Sequence, residues 1–206
     1  MKMKRIVLVA MALCIAVCAS AKGHFGVTAG INNAVFPLKS YDDHGMVAFS
    51  GGVVYNQPIF LGFAVQPELL FNTKGTNWEA YGYKDNFRVS YLELPVQIQW
   101  GLDLIAFRPY VFAEPFVGYA LAGRYNDQSE TFFSGDFSMS SMKSRFEYGI
   151  GVGGGIEVGT RLQLAAKYYW NLEGFDYKDA TGSWLFGDVR ERPGFCGFSV
   201  MLTFLF

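Results

Sequence analysis

Alternate residues in the stretch GFCGFSVMLTFLF, at 194–206, sort into two kinds. Cys196, Phe198, Val200, Leu202, Phe204 and Phe206 are almost all large and apolar, whereas Gly197, Ser199, Met201, Thr203 and Leu205 are smaller and more polar. A repeat of two is the mark of a β-strand, whose side chains point to opposite faces in turn. Similar runs recur along the chain and predict eight strands, over 25–33, 46–56, 60–72, 87–100, 108–122, 145–158, 161–172 and 195–206. Each reaches the roughly 9–11 residues of a tilted membrane-spanning strand.

The connections between these strands alternate in length. Long ones, at 33–45, 72–86, 123–144 and 173–194, are rich in Asn, Asp, Gly, Ser and Tyr. Short ones fall near Gln57-Pro58, at 101–107 and at Gly159-Thr160. Tight turns at one end and long loops at the other describe an up-and-down sheet, and bacterial outer-membrane barrels have this asymmetry. The expected fold is therefore all-β, an eight-stranded antiparallel up-and-down transmembrane β-barrel.

A soluble lipocalin is also an exported eight-stranded barrel, so the placement of charge decides between the two. In the third strand Leu61, Phe63, Val65, Leu69 and Phe71 oppose Gln66 and Glu68, and in the fourth Leu92, Leu94, Val96, Ile98 and Trp100 oppose Glu93, Gln97 and Gln99. In the sixth Phe146, Tyr148, Ile150, Val152, Ile156 and Val158 oppose Glu147, Glu157 and four glycines, and in the seventh the Leu162–Leu172 stripe opposes Arg161, Gln163, Lys167 and Asn171. The fifth is less clean, with Tyr110, Phe112 and Phe116 sharing a face with Arg108 and Glu114. A basic residue facing lipid near the bilayer centre costs about 2–4 kcal/mol and an acid somewhat less. Because the charged face is also the glycine-rich face, and small residues suit the crowded interior of eight strands, large residues face lipid and ionisable ones face inward. The last strand then closes on the first, with Phe25, Val27, Ala29 and Ile31 outward, so that no edge is left unpaired in lipid.

Composition trims the remaining options. Hydrophobic residues make up 51% of 206, aromatics 17%, and the 24 glycines suit strands and close backbone approach. A net charge of −1 and a pI near 6.1 give no field to draw in nucleic acid. At the N-terminus, Lys2, Lys4 and Arg5 precede an apolar run at 6–17, and Ala19-Ser20-Ala21 follows. That is the pattern of a secretory signal peptide over 1–21, leaving a barrel domain over 22–206. About 12 apolar residues fall short of the roughly 20 that a helical span needs. Cleavage removes Cys14 and Cys18, so the mature chain keeps Cys196 alone and forms no internal disulfide.

Four segments together carry a family resemblance: PELLFNTKG at 67–75, YLELPVQIQW at 91–100, RPYVFAEPFVGYAL at 108–121 and GIGVGGGIEV at 149–158. In this order they resemble the PorT-like outer-membrane β-barrel family of Bacteroidetes over nearly all of the mature chain. Two departures stand out: Glu114 lies where such sequences commonly have Gly, and Lys167 where they commonly have Arg. The resemblance implies an outer-membrane barrel. PorT itself is associated with protein secretion, and carrying that role across would be analogy at the level of fold. A C-terminal strand ending in Phe206 also resembles the signal that such barrels present to their assembly machinery.

Function is less legible. Eight strands leave an interior that side chains can fill, with Tyr110, Phe112, Phe116 and Tyr169 as inward bulk opposite the glycines of the sixth strand. Glu68, Glu93, Glu114, Glu147 and Glu157 require buried partners, and Arg108 and Lys167 are the expected counterions. This network is read as structural in the first place and as a proton-linked site in the second. In the long loops, Trp78, Tyr81, Phe132, Phe133 and Trp184 are candidate protein-partner contacts, or else pack together at the membrane interface. An Asp42-Asp43-His44 run is a weak candidate for metal or acid–base chemistry, and no phosphate-cradling loop occurs, since GVGGGIE lacks the strand–turn–helix context. The expected function is a non-enzymatic structural or interaction role, with outer-membrane lipid as surroundings and no cofactor, no metal and no nucleic acid. The alternatives are a lipid-modifying barrel enzyme of the lipid A deacylase type, and an adhesion or secretion accessory that binds proteins through its loops.

Overall fold

The computed structural model describes residues 23–35, 42–80, 83–125, 128–130, 145–172 and 194–206. The strands are β1 (His24–Val35), β2 (Asp42–Pro58), β3 (Phe63–Ala80), β4 (Tyr83–Gly101), β5 (Phe107–Tyr125), β6 (Gln128–Glu130), β7 (Phe146–Val158), β8 (Leu162–Asn171) and β9 (Cys196–Leu205). Eight of them pair antiparallel with their chain neighbours, and β9 pairs with β1 to close the cylinder. The three-residue β6 only extends the outer end of β5. Closure runs from Gly26 opposite Leu205 to Val35 opposite Cys196, and the Phe206 amide donates to the Phe25 carbonyl at 2.8 Å. Among the described residues the eight long strands thereby form a closed ladder, as a sheet in hydrocarbon requires.

Alternation decides what each face touches. Leu69 and Phe71 on β3, Leu92, Leu94, Ile98 and Trp100 on β4, and Phe198, Leu202 and Phe204 on β9 are exposed on the outer wall. Their sequence neighbours Glu68, Asn72, Glu93, Gln97, Gln99, Ser199, Met201 and Thr203 are buried in the lumen. Exposed Ile, Phe and Leu side chains beside buried Glu and Gln are the reverse of a water-soluble fold, and the resulting apolar band identifies the lipid-facing surface.

A glycine seam in β7 makes room for the large inward residues of β5. Tyr110, Phe112 and Phe116 stand opposite Gly155, Gly153 and Gly149 in the β5–β7 register. A Cβ at those three glycines would lie 2.6, 2.6 and 2.4 Å from the facing rings, closer than any real contact. The rings fill the space that the absent side chains leave, and Tyr169 of β8 meets Phe116 edge-on at 6.3 Å between centroids.

Two expectations from the sequence are corrected. The region 72–86, expected to be a loop, is largely a continuation of β3 and β4, paired from Asn72 opposite Tyr91 out to Ala80 opposite Tyr83. Polar and aromatic residues are mixed at both parities there, so the hydrophobic alternation fades from the sequence while the backbone pairing continues. The turn expected at Gln57-Pro58 lies instead at 59–62, with the Ile59 amide bonded to the Phe63 carbonyl at 2.8 Å. Leu61 and Gly62 adopt left-handed φ of 52° and 79° there. Gly62 is required, since a Cβ would sit 2.0 Å from the Gly101 carbonyl oxygen.

Candidate functional site: the lumenal ion-pair network

With the short turns taken as the periplasmic end, three ionic groups follow one another along the lumen. The outermost centres on Lys74, on the inward face of β3 in line with Gln66, Glu68, Leu70 and Asn72. Its Nζ lies 2.7 Å from Glu93 Oε1 on β4 and 2.7 Å from Glu147 Oε1 on β7. All three side chains are at most 6% exposed. Asn72 Nδ2 donates to the second Glu93 oxygen at 2.9 Å and Asn171 Nδ2 to the second Glu147 oxygen at 2.5 Å. Asn32 Nδ2 in turn reaches Asn72 Oδ1 at 2.5 Å. The rings of Phe116, Tyr169 and Tyr91 surround the ammonium at 4.7, 4.9 and 5.3 Å from its Nζ to their centroids. Ring faces are attractive to a cation in such a desolvated place, so charge and packing converge on one atom.

The middle group joins Lys167 of β8 directly to Glu114 of β5. Glu68 is buried on β3 and accepts from Gln66 Nε2 at 2.7 Å. A ladder of amides continues downward: Asn56 Nδ2 donates to Gln66 Oε1 at 2.8 Å, and Gln99 Nε2 to Gln97 Oε1 at 2.9 Å. A cavity of about 10 Å³ lies between the outer and middle groups, lined by Ser50, Asn72, Lys74, Glu93, Glu114, Phe116, Lys167, Tyr169 and Ser199. That is at the lower limit for one water molecule.

The periplasmic group is looser. Arg108 Nη1 lies 3.6 Å from Glu157 Oε2 and its Nε 3.4 Å from Asp103 Oδ1. Nη2 donates to the Gly62 carbonyl at 2.8 Å and Nη1 to Gln99 Oε1 at 3.3 Å, tying the second turn to the first. Gln163 Nε2 holds Glu157 Oε2 at 2.9 Å. This group floors an open vestibule of about 280 Å³ at the periplasmic mouth.

Every residue expected in the charge network thus lies on the lumen side: Glu68, Glu93, Arg108, Glu114, Glu147, Glu157 and Lys167. Arg161, which the alternation placed inward, instead lies exposed beside the β7–β8 turn. Sequence reasoning missed Lys74, although its even position continues the inward set of β3. The side chain of Trp78, and Tyr81, Phe132, Phe133 and Trp184, lie outside the described residues, as does the side chain of His44. Among the described residues no group of three or more His, Cys, Asp or Glu side chains is placed to hold a metal ion.

A closed antiparallel cylinder with hydrocarbon-facing walls and an ionic lumen defines an outer-membrane β-barrel. Residues 20–177 match the family described as the outer membrane protein beta-barrel domain, and the chain belongs to that family. Among solved structures it is similar to Neisserial surface protein A (NspA) at 14% identity, covering 89% of this chain and 97% of that one, with a TM-score of 0.48. It is also similar to Ail, the attachment invasion locus protein of Yersinia pestis, at 12% identity, 89% and 99% coverage and a TM-score of 0.46. The outer membrane enzyme PagL is similar at 11% identity, 87% and 98% coverage and a TM-score of 0.41. No curated protein matches the chain in sequence.

Proposed function

We propose that this barrel is a non-enzymatic, non-conducting protein of the outer membrane that serves as a scaffold or interaction platform. The observation that carries this reading is the lumen itself. Ion pairs at Lys74 and Lys167, together with Tyr110, Phe112, Phe116 and Tyr169, fill the cross-section, and the space left between the outer two ionic groups is about 10 Å³. A bare ion needs a continuous aqueous path, and side chains stand where that path would run. The chain enters the periplasm through a cleaved leader over 1–21, and its final strand, ending in Phe206, engages the assembly machinery. PorT-like relatives of Bacteroidetes are the proposed kin; Glu114 and Lys167, the two departures from their pattern, are each other's partners in the lumen. Protein partners meet the outer loops that carry Trp78, Tyr81, Phe132, Phe133 and Trp184.

Planar-bilayer recording of the purified protein tests the reading. The expected result is a silent membrane at any protein dose that vesicle flotation shows to be inserted. Stable, ohmic conductance steps would overturn it. Mass profiling of lipid A from cells carrying His44→Ala separates the enzymatic alternative, since an altered profile would establish lipid chemistry and an unchanged one supports the scaffold.

A further inference from the structure

The two longer periplasmic turns carry side chains unsuited to water. Phe60 and Leu61 in the β2–β3 turn and Leu102, Leu104 and Ile105 in the β4–β5 turn are all more than half exposed, Ile105 completely so. The turns are neighbours: the Gly101 amide donates to the Gly62 carbonyl at 2.9 Å, and Arg108 bridges them. The β7–β8 turn starts from the same row, since Phe107 pairs with Val158, yet its tip is Gly159-Thr160-Arg161. One sector of the periplasmic rim is therefore apolar and another polar.

Parity shows which way the apolar sector faces. On β4 the outward set Ile98 and Trp100 continues without a break into Leu102 and Leu104. Phe63 on β3 and Phe107 on β5 are outward too, and the reversals next to them expose Leu61 and Ile105 at their tips. Between Leu102 and Leu104, Asp103 has the inward parity, and Arg108 holds it at 3.4 Å. The ion pair keeps the turn's single acid off the outer wall, so that wall stays apolar to its tip. Leu61 accepts a left-handed backbone, unusual for a branched side chain, in the same place.

We propose that the β2–β3 and β4–β5 turns insert into the periplasmic phospholipid leaflet as a one-sided anchor, extending the lipid-facing band downward on the β3–β5 wall. Continuity with that band selects lipid as the occupant. The neighbouring β7–β8 sector, with exposed Thr160 and Arg161, stays at the level of headgroup and water.

Depth measurements by spin labelling test this. Cys196, the cysteine that the mature chain keeps, is replaced by serine, and single cysteines are placed at Leu61, Ile105 or Thr160 in the full chain. Each protein is purified from outer membranes, checked as folded by heat-modifiable gel migration, and reconstituted in phosphatidylethanolamine–phosphatidylglycerol vesicles. The oxygen-to-nickel-chelate accessibility ratio should be several-fold higher at 61 and 105 than at 160. Equal ratios at all three sites would overturn the proposal. So would shielding at 61 and 105 that persists in dilute detergent and varies with protein concentration, which marks contact between copies. Shielding found in native membranes but lost in pure lipid vesicles marks a periplasmic protein and likewise contradicts it.

Discussion

The outer and periplasmic ionic groups use the same chemistry under different rules. Lys74 sits at 2.7 Å from two carboxylates with at most 6% exposure on any member, while Arg108 stands 3.4–3.6 Å from Asp103 and Glu157, with Asp103 76% exposed. Water screens the Arg108–Asp103 contact, whereas Arg108 and Glu157 are each only 12% exposed and water is excluded from the Lys74 group. Buried charges repay their desolvation only with short contacts and satisfied lone pairs, and the asparagines around Glu93 and Glu147 supply those. Exposed pairs contribute little. Distance from the periplasmic mouth, more than charge count, decides how much each pair matters to the barrel.

Lys74→Met breaks this contrast most severely. The substitution keeps the length of the side chain and removes the cation from two buried carboxylates, and breaking such a pair from one side costs about 3–5 kcal/mol. Urea titration in vesicles, followed by tryptophan fluorescence, should show the loss. A triple variant with Glu93→Gln and Glu147→Gln should recover much of it, because no uncompensated charge remains.

Removing half of the middle pair comes next. Glu114→Gln leaves Lys167 with Glu68 as the nearest remaining carboxylate of that group, so the cost should be smaller than for Lys74→Met, about 2–3 kcal/mol. The charge-exchanged pair Glu114→Lys with Lys167→Glu should retain more stability than either single change. A volume probe sharpens the comparison by leaving charge untouched. Gly153→Val would place a Cβ 2.3 Å from the Ala166 carbonyl oxygen and 2.6 Å from the Phe112 ring. Overpacking of this kind costs about 1–3 kcal/mol, and Phe112→Leu should relieve part of it.

Asp103→Asn is expected to have the smallest effect, under about 1 kcal/mol, because its partner is a screened rim contact. A loss as large as that of Lys74→Met would remove the distinction between the two groups.

The face assignments were legible because lipid enforces them. Wherever a strand lies in hydrocarbon, every second residue must be apolar, and the pattern of β4, from Leu92 to Trp100, states this plainly. Lys74 was not legible by the same rule. It follows Asn72 and Thr73 and precedes Gly75, Thr76 and Asn77, so polar residues occupy both parities and the contrast between faces disappears. Extending the inward positions of β3 by one more step would have reached it. The β2–β3 turn was misplaced because Ile59, Phe60 and Leu61 look like strand residues; backbone geometry at Leu61 and Gly62, which hydrophobicity does not encode, makes the reversal. The fit of Tyr110, Phe112 and Phe116 against the β7 glycines was expected from residue size alone, while the pairings at Lys74 required the register.

The most direct measurement is the behaviour of the folded protein without and with a bilayer. Removal of detergent in the presence of vesicles should leave the protein floating with lipid and resistant to alkaline extraction, and removal in their absence should precipitate it. A compact monomer that stays in aqueous buffer and ignores the vesicles would contradict an apolar outer wall around an ion-paired interior.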